Sequence, residues 1–285
     1  MIDPVMRLAK SETELKGIAN RLRHHVIEMT SEAGSGHPGG SLSSADLMAV
    51  LYFRVMNHRP SDPSWDGRDR FILSKGHVAP ILYASLAESG YFPVGELITL
   101  RKMNSRLQGH PVRGKLPGVE MSTGSLGQGL SMACGFAMAA KMDGKKHRVY
   151  CLVGDGELQS GMNWEAAMFA SQYKLNNLVA FVDRNRLQIS GCTEDVMGLE
   201  PLQRKWEAFG WRAITVDGHN IANLIEACTW AKRARTRPTV IIMNTVKGKG
   251  VSFMENNVAF HGKSCNADEK VCAENELEEA MRSCR

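Results

Sequence analysis

Two apolar runs with a helix-length segment between them constrain this fold more than any other feature. Val149-Tyr150-Cys151-Leu152-Val153 and Leu178-Val179-Ala180-Phe181-Val182-Asp183 are short and almost wholly apolar. That is the pattern of strands buried on both faces. Leu158 to Tyr173, with Trp164-Glu165-Ala166-Ala167-Met168 inside it, reads as a helix. A strand, a helix and a second buried strand make a parallel pair, and open α/β sheets bind ligands beyond the carboxyl ends of such strands. The first run leads into Gly154-Asp155-Gly156, and the second stops just before Asn185, thirty positions after Asp155. An acid and an amide thus reach one sheet edge. Magnesium prefers oxygen ligands and is commonly held by one or two protein oxygens plus phosphates. Gly156 has no side chain to keep a phosphate away, and the helix N-terminus that follows favours an anion.

The same alternation runs through the chain. Residues 10–30 read as a helix, Leu42 to Val55 as a second, Arg70-Phe71-Ile72-Leu73 as a strand and Val78 to Ser89 as a helix. Gly90 to Gly124 reads as irregular, apart from a short helix near 95–103. Leu126 to Met142 is a helix rich in Ala, Gly, Ser and Met, small enough to admit a close neighbour and a candidate subunit contact. Trp211 to Val216 and Thr239 to Thr245 read as strands flanking a helix at 221–235. The expected architecture is α/β, a mostly parallel sheet with helices on both faces. We expect one domain over residues 1–285, with a helical tail at about 267–284.

Composition narrows the function. The net charge is only +5 and the Lys and Arg residues are scattered, so nucleic acid is not an expected partner. The densest basic cluster, Lys232 to Arg237, ends a predicted helix, where cations complement the dipole. Seven cysteines without a CxxC pair imply a reducing cytoplasm rather than a disulfide scaffold. Cys134, Cys151 and Cys228 read as small core residues and Cys284 falls in the tail. The start, Met1-Ile2-Asp3-Pro4, does not suit a signal peptide, and no apolar run reaches membrane-spanning length.

Four histidines sit in glycine-rich or loop settings: His37 in Gly36-His37-Pro38-Gly39, His77 in Ser74-Lys75-Gly76-His77, His110 in Gly109-His110-Pro111, and His261 in His261-Gly262. Imidazole can donate, accept and exchange protons near pH 7. His219, in Asp217-Gly218-His219-Asn220, reads as structural, with Asn220 as an N-cap.

Gly154-Asp155-Gly156 through Asn185 resembles the motif of thiamine diphosphate enzymes. From about residue 12 to 264 the chain resembles the amino-terminal, diphosphate-binding domain of transketolase. The matching segments include the four histidine settings, Ser122-Thr123-Gly124-Ser125-Leu126-Gly127-Gln128-Gly129, Gly154-Asp155-Gly156-Glu157, Asp183-Arg184-Asn185-Arg186-Leu187-Gln188 and Thr245-Val246-Lys247-Gly248-Lys249-Gly250. The resemblance implies thiamine diphosphate as cofactor and a metal, Mg2+ or Ca2+/Mn2+ in its place, on Asp155, Asn185 and the Leu187 carbonyl. It sets Gly154, Gly156, His77 and His261 at the diphosphate and thiazolium, Gly124 and Leu126 along the cofactor site, and His37, His77, His110 and His261 around the ketose oxygens. Glu165 is carried over as a cofactor-associated acid, whereas the acid usual five residues after the motif aspartate is replaced by Ser160. The implied activity is transfer of a two-carbon ketol unit from a ketose phosphate to an aldose phosphate.

In the family a pyrimidine-binding domain follows. Its absence from these 285 residues implies a split enzyme, in which a second, pyrimidine-binding subunit completes a two-plus-two heterotetramer. Rival expectations are 1-deoxyxylulose-5-phosphate synthase, the alpha subunit of a 2-oxo-acid dehydrogenase, and a non-catalytic relative that binds a partner chain.

Overall fold

The computed structural model describes residues 10–282. Cys284 and Met1 to Pro4 lie outside them. Five strands form one parallel sheet: β1 (Arg70–Leu73), β2 (Val149–Gly154), β3 (Leu178–Arg184), β6 (Arg212–Asp217) and β7 (Thr239–Asn244), in the order β1-β2-β3-β7-β6. Gly154 pairs with Asp183, and Arg184 with Asn244. The strands therefore end level, and the residues just past them share one edge.

Side chains alternate between two cores. Phe71, Tyr150, Leu152, Phe181 and Met243 face a cluster with α1 (Glu12–Glu32), α3 (Ala45–Val50), α4 (Ala79–Ser89) and α9 (Ile221–Lys232). Ile72, Cys151, Val153, Ala180 and Ile242 face a second cluster with α5 (Gln128–Met142), α6 (Gly161–Gln172) and α8 (Leu202–Ala208). Burial on both faces explains why β2 and β3 are continuous apolar runs. Cys134, Cys151 and Cys228 are buried within these cores.

Helix α1 begins with a capping box: Ser11 Oγ accepts from Glu14 N, and the Glu14 carboxylate accepts from Ser11 N. The tail helix α10 (Ala267–Arg282) packs against it.

Four segments depart from expectation. The segment Leu42 to Val55 is not one helix. Helix α2 (Pro38–Leu42) ends, α3 begins at Ala45, and Leu51–Val55 closes as a wider π turn. The cause lies at Ser43 and Ser44: the Ser44 hydroxyl donates to the Gly40 carbonyl and competes with helical bonding, while the Ser43 hydroxyl donates to Asp183 on β3. The second is the segment from Leu158: Gly156–Gln159 is a tight 3-10 turn, and α6 starts only at Gly161. The buried Glu157 carboxylate holds that turn to Gly127 and Gly154. The third is the short helix near 95–103, which is a 3-10 stretch, Val94–Thr99.

The fourth is α5, which starts at Gln128, after Gly127 turns the chain at φ 93°. The region after β3 holds elements with no strong periodicity in sequence. These are the hairpin β4 (Leu187–Gln188) and β5 (Gly191–Cys192), and the short helix α7 (Thr193–Met197) ahead of α8. Asn220 caps α9, accepting from Asn223 N at 3.1 Å.

Candidate active site

The residues past β1, β2, β3 and β7 converge on a buried polar network. Asp183, the last acid of β3, is fully buried. One of its oxygens accepts from the Lys75 ammonium, from Ser43 Oγ at 2.7 Å and from Asn185 Nδ2 at 2.9 Å; the other accepts from Thr245 Oγ1. Burial alone would raise this carboxyl, but the Lys75 ammonium beside it holds it at about 2. Lys75 also donates to Ser44 Oγ at 2.8 Å and to the Gly40 carbonyl at 3.1 Å. Asn185 is thereby oriented: its nitrogen faces Asp183, and its oxygen accepts from Leu187 N at 3.0 Å.

Asp155, at the end of β2, is 2 % exposed. Its carboxylate accepts from Gly156 N at 2.8 Å, Arg186 N at 2.6 Å and the buried Arg184 guanidinium at 3.2 Å. Arg184 is itself held by Thr193 Oγ1 at 2.7 Å and Glu194 at 2.7 Å, which gives the α7 region its purpose. Burial, and then the charge of Asp183, push the Asp155 carboxyl above its usual value. A cation there would offset that penalty. The donor set of Asp155 carboxylate, Asn185 amide and Leu187 carbonyl consists of hard oxygens, as magnesium requires. The Leu187 carbonyl already faces a cation, accepting from the Lys247 ammonium at 3.0 Å. Nearby, Gly156 packs so closely that an added Cβ would lie 3.1 Å from Gln188 Cβ. The residues fit a metal-bound diphosphate.

Three histidines meet beside this network. The ring centroids of His37 and His77 are 5.1 Å apart, those of His77 and His261 5.3 Å, and those of His37 and His261 5.7 Å. Burial depresses all three. His77 is lowered to about 2, with Lys75 and its histidine neighbours adding to the effect. His37 and His261 are lowered to about 4, with Arg101 adding for His37 and Lys247 for His261. All three are therefore neutral near pH 7. His110 stands beside Gly124, where a Cβ would come within 2.8 Å of its ring, and is also lowered by burial and Arg101. Tyr83 Oη fixes that turn by donating to the carbonyls of Gln108 and His110.

The tautomer of His261 follows from its partner. Lys247 Nζ lies 2.9 Å from His261 Nδ1 and has only hydrogens to give, so Nδ1 accepts and Nε2 carries the proton. His219 is structural, as its setting suggested: Val246 N donates to its Nε2 at 2.8 Å, so Nδ1–H donates to Asp46. This fixes the segment that carries Lys247.

Gly124 and Leu126 lie on the loop that enters α5, with Leu126 exposed. Glu157 ties that loop to the Gly154 turn through the bonds described above. Glu165 is exposed on α6 and lines a cavity of about 280 Å3 with Ser131, Cys134, Gly135, Ala166 and Phe169. No contact among the described residues joins it to Asp155 or the histidines. Ser160, at the head of α6, packs against Gly127. Lys75, Asp183, Arg184 and Lys247 received no individual role from the sequence. All four lie within motif segments already singled out, and that position is the signal available.

The family description "Transketolase, thiamine diphosphate binding domain" matches residues 15–278. The chain belongs to the transketolase family. It is 44 % identical over 271 residues to the 6-deoxy-6-sulfo-D-fructose transketolase subunit SqwG of Clostridium sp. (strain MSTE9), covering 95 % of this chain and 98 % of that one. It is 44 % identical over 272 residues to an apulose-4-phosphate transketolase subunit of Actinobacillus succinogenes, again covering 95 % and 98 %. Transketolase of Homo sapiens is 50 % identical over 250 residues, but these are 87 % of this chain and 40 % of that protein. The transketolase structure from Campylobacter jejuni superposes with a TM-score of 0.89 at 32 % identity, covering 97 % of this chain and 46 % of that one. The chain thus spans nearly the whole of two subunit relatives and less than half of the full-length transketolases.

Proposed function

We propose that this chain is the diphosphate-binding subunit of a two-chain transketolase. It would move a two-carbon ketol unit from a ketose phosphate to an aldose phosphate, together with a pyrimidine-binding polypeptide. One observation carries the reading: a cluster of three neutral histidines stands beside an oxygen-lined acid and amide at one sheet edge. A polyhydroxylated substrate needs several groups that both donate and accept, and neutral imidazoles supply them. The two subunit relatives, matched over 98 % of their own lengths, support a second polypeptide. The exposed apolar side chains of α5 and α6 and the turn that follows α6, Met142, Met168, Phe169 and Tyr173, suit a protein contact. A two-plus-two assembly follows if the pyrimidine-binding chain docks there and dimerises.

In this reading Asp155, Asn185 and the Leu187 carbonyl would hold Mg2+, and the Gly156 backbone would lie against the diphosphate. When bound, thiamine diphosphate supplies an electron sink for carbon–carbon cleavage. The chain's own groups do the rest. Lys247 fixes the tautomer of His261, whose Nε2–H is then a donor for a substrate or phosphate oxygen. His37 Nδ1 is buried without a protein partner and remains available to a substrate hydroxyl. Because His37, His77 and His261 stay neutral, they do not repel a cationic ring, and each can hydrogen-bond a substrate oxygen, with His261 Nε2–H as a donor to developing negative charge. His110, with a more open position, completes the substrate end.

The test combines the purified chain with a pyrimidine-binding transketolase subunit from the same source, and follows ketol transfer between sugar phosphates. Activity should require both chains, thiamine diphosphate and Mg2+. His110→Ala should raise the donor KM or lower kcat at least tenfold, with little change in cofactor affinity. Full activity of this chain alone would refute the split assignment. Turnover of a 2-oxo acid in place of a ketose would refute the substrate class.

A further inference from the structure

Apart from the cleft, α1 carries a second group of metal-competent side chains. His24, His25 and Glu28 each offer one ligand atom, and these atoms all lie within 4.8 Å of one another. Glu28 stands four residues from His24 and three from His25, so all three project from one stretch of helix surface. His25 Nε2 lies 2.8 Å from a Glu88 carboxylate oxygen on α4. A carboxylate only accepts, so Nε2 carries the hydrogen. The other ring nitrogen, Nδ1, is buried and has no hydrogen-bond partner. The nearest acid oxygen, Glu28 Oε2, is 3.7 Å away, too far for a hydrogen bond.

A buried lone pair with nothing to accept from is costly. A cation at that point would satisfy it and bring Glu28 and His24 in together. We propose that α1 binds a zinc-class divalent ion through His25 Nδ1, a ring nitrogen of His24 and the carboxylate of Glu28. Three protein ligands and a water complete a tetrahedral shell for zinc, with bonds of roughly 2.0–2.2 Å. Ligand atoms in such a shell stand about 3.5 Å apart, so modest side-chain rotation closes the present spacing. Glu88 supplies the outer carboxylate that metal-bound histidines usually engage with their second nitrogen. The arrangement links α1 to α4, and its imidazole-rich donor set selects a different ion from the all-oxygen set at Asp155. The competing arrangement is an imidazolium bridging Glu88 and Glu28, which would leave Nδ1–H pointing at an acceptor 3.7 Å away.

The experiment uses the full chain, with its partner where the two copurify, stripped of metal and titrated with zinc chloride in excess magnesium. Calorimetry and bound-metal analysis read the result. One zinc per chain is expected, and it should persist in Asp155→Ala and in His77→Gln. Glu28→Gln and His25→Gln should each weaken it at least tenfold, and Glu88→Gln about tenfold through loss of the outer contact. Glu28 is partly exposed, so Glu28→Gln should keep the fold, which circular dichroism checks. Failure to bind zinc overturns the proposal in favour of the imidazolium bridge. Zinc that survives Glu28→Gln but is lost in His77→Gln belongs to the cleft histidines and also overturns it.

Discussion

Replacing Lys75 by Met isolates the electrostatic centre of the site. Met keeps most of the apolar stem and deletes the ammonium. In the native chain the Lys75 side chain is 3 % exposed and that of Asp183 is fully buried, so the pair is screened little by solvent. Removing one partner of a buried pair typically costs about 3–5 kcal/mol, because a charge is left uncompensated. Asp183 would still accept from Ser43, Thr245 and Asn185, which argues for the lower end, about 3 kcal/mol. For a chain of this size about 2 °C of Tm accompanies each kcal/mol, so thermal unfolding should fall by about 6 °C. The double variant Lys75→Met, Asp183→Asn removes both charges and should recover at least half of the loss, which a double-mutant cycle reads directly. Cofactor affinity should not recover with it, because Asp183→Asn weakens the acceptor that orients Asn185. A loss below about 1 kcal/mol in Lys75→Met, within the range of an exposed pair, would refute this account of the network. So would a double variant less stable than the single one.

Other outcomes follow from the same geometry. Asp155→Ala should abolish detectable binding of thiamine diphosphate in the presence of Mg2+ at ordinary concentrations, read by calorimetry on the assembled enzyme; unchanged affinity would remove Asp155 from the metal site. Gly76→Ala would bring a Cβ within 2.6 Å of the Thr123 carbonyl carbon and oxygen, which cannot move independently of Gly124. It should therefore lower cofactor affinity at least tenfold and broaden the unfolding transition. The histidine cluster predicts loss of stability in acid. His37 and His261 sit at about 4 when folded, below an ordinary histidine near 6.5. Their contribution is full above about pH 6.5 and declines as pH falls toward 4, because the unfolded chain takes up protons the folded chain refuses. Tm measured from pH 7 to pH 4 should fall less steeply in His37→Gln than in the native chain.

Much of the frame was legible because burial on both faces writes itself into sequence as unbroken apolar runs. β2 and β3 are such runs, and their ends located Asp155 and Asn185. The sheet was recovered for that reason. The short elements between β3 and β6 were not, because α7 and the β4–β5 hairpin are held by Arg184 and Glu194 rather than by periodic apolar faces. The break at Ser43 and Ser44 was hidden by the apolar spacing that continues through it. The histidines were legible as a set, since glycine or proline stands beside each. Their neutral state was not, because it arises from burial and from cations that only the fold turns toward the rings, Lys75, Arg101 and Lys247. Glu165 shows the converse. Motif position tied it to the cofactor, while its side chain is exposed beside α5.

The level ends of the parallel strands also act as a ruler. Ser74 and Lys75 follow β1, Asp155 follows β2, Asn185 follows β3, and Thr245 and Lys247 follow β7, and these four strands are consecutive in the sheet. Adjacent strands stand about 4.8 Å apart, so three gaps mark off about 14 Å measured across the strands. A molecule that touches all four ends must lie across the grain of the sheet. Its length is then gauged by the hydrogen-bonded spacing of the backbone, which no side-chain substitution changes. Side chains can alter what is gripped at each mark, but the distance between the marks belongs to the sheet.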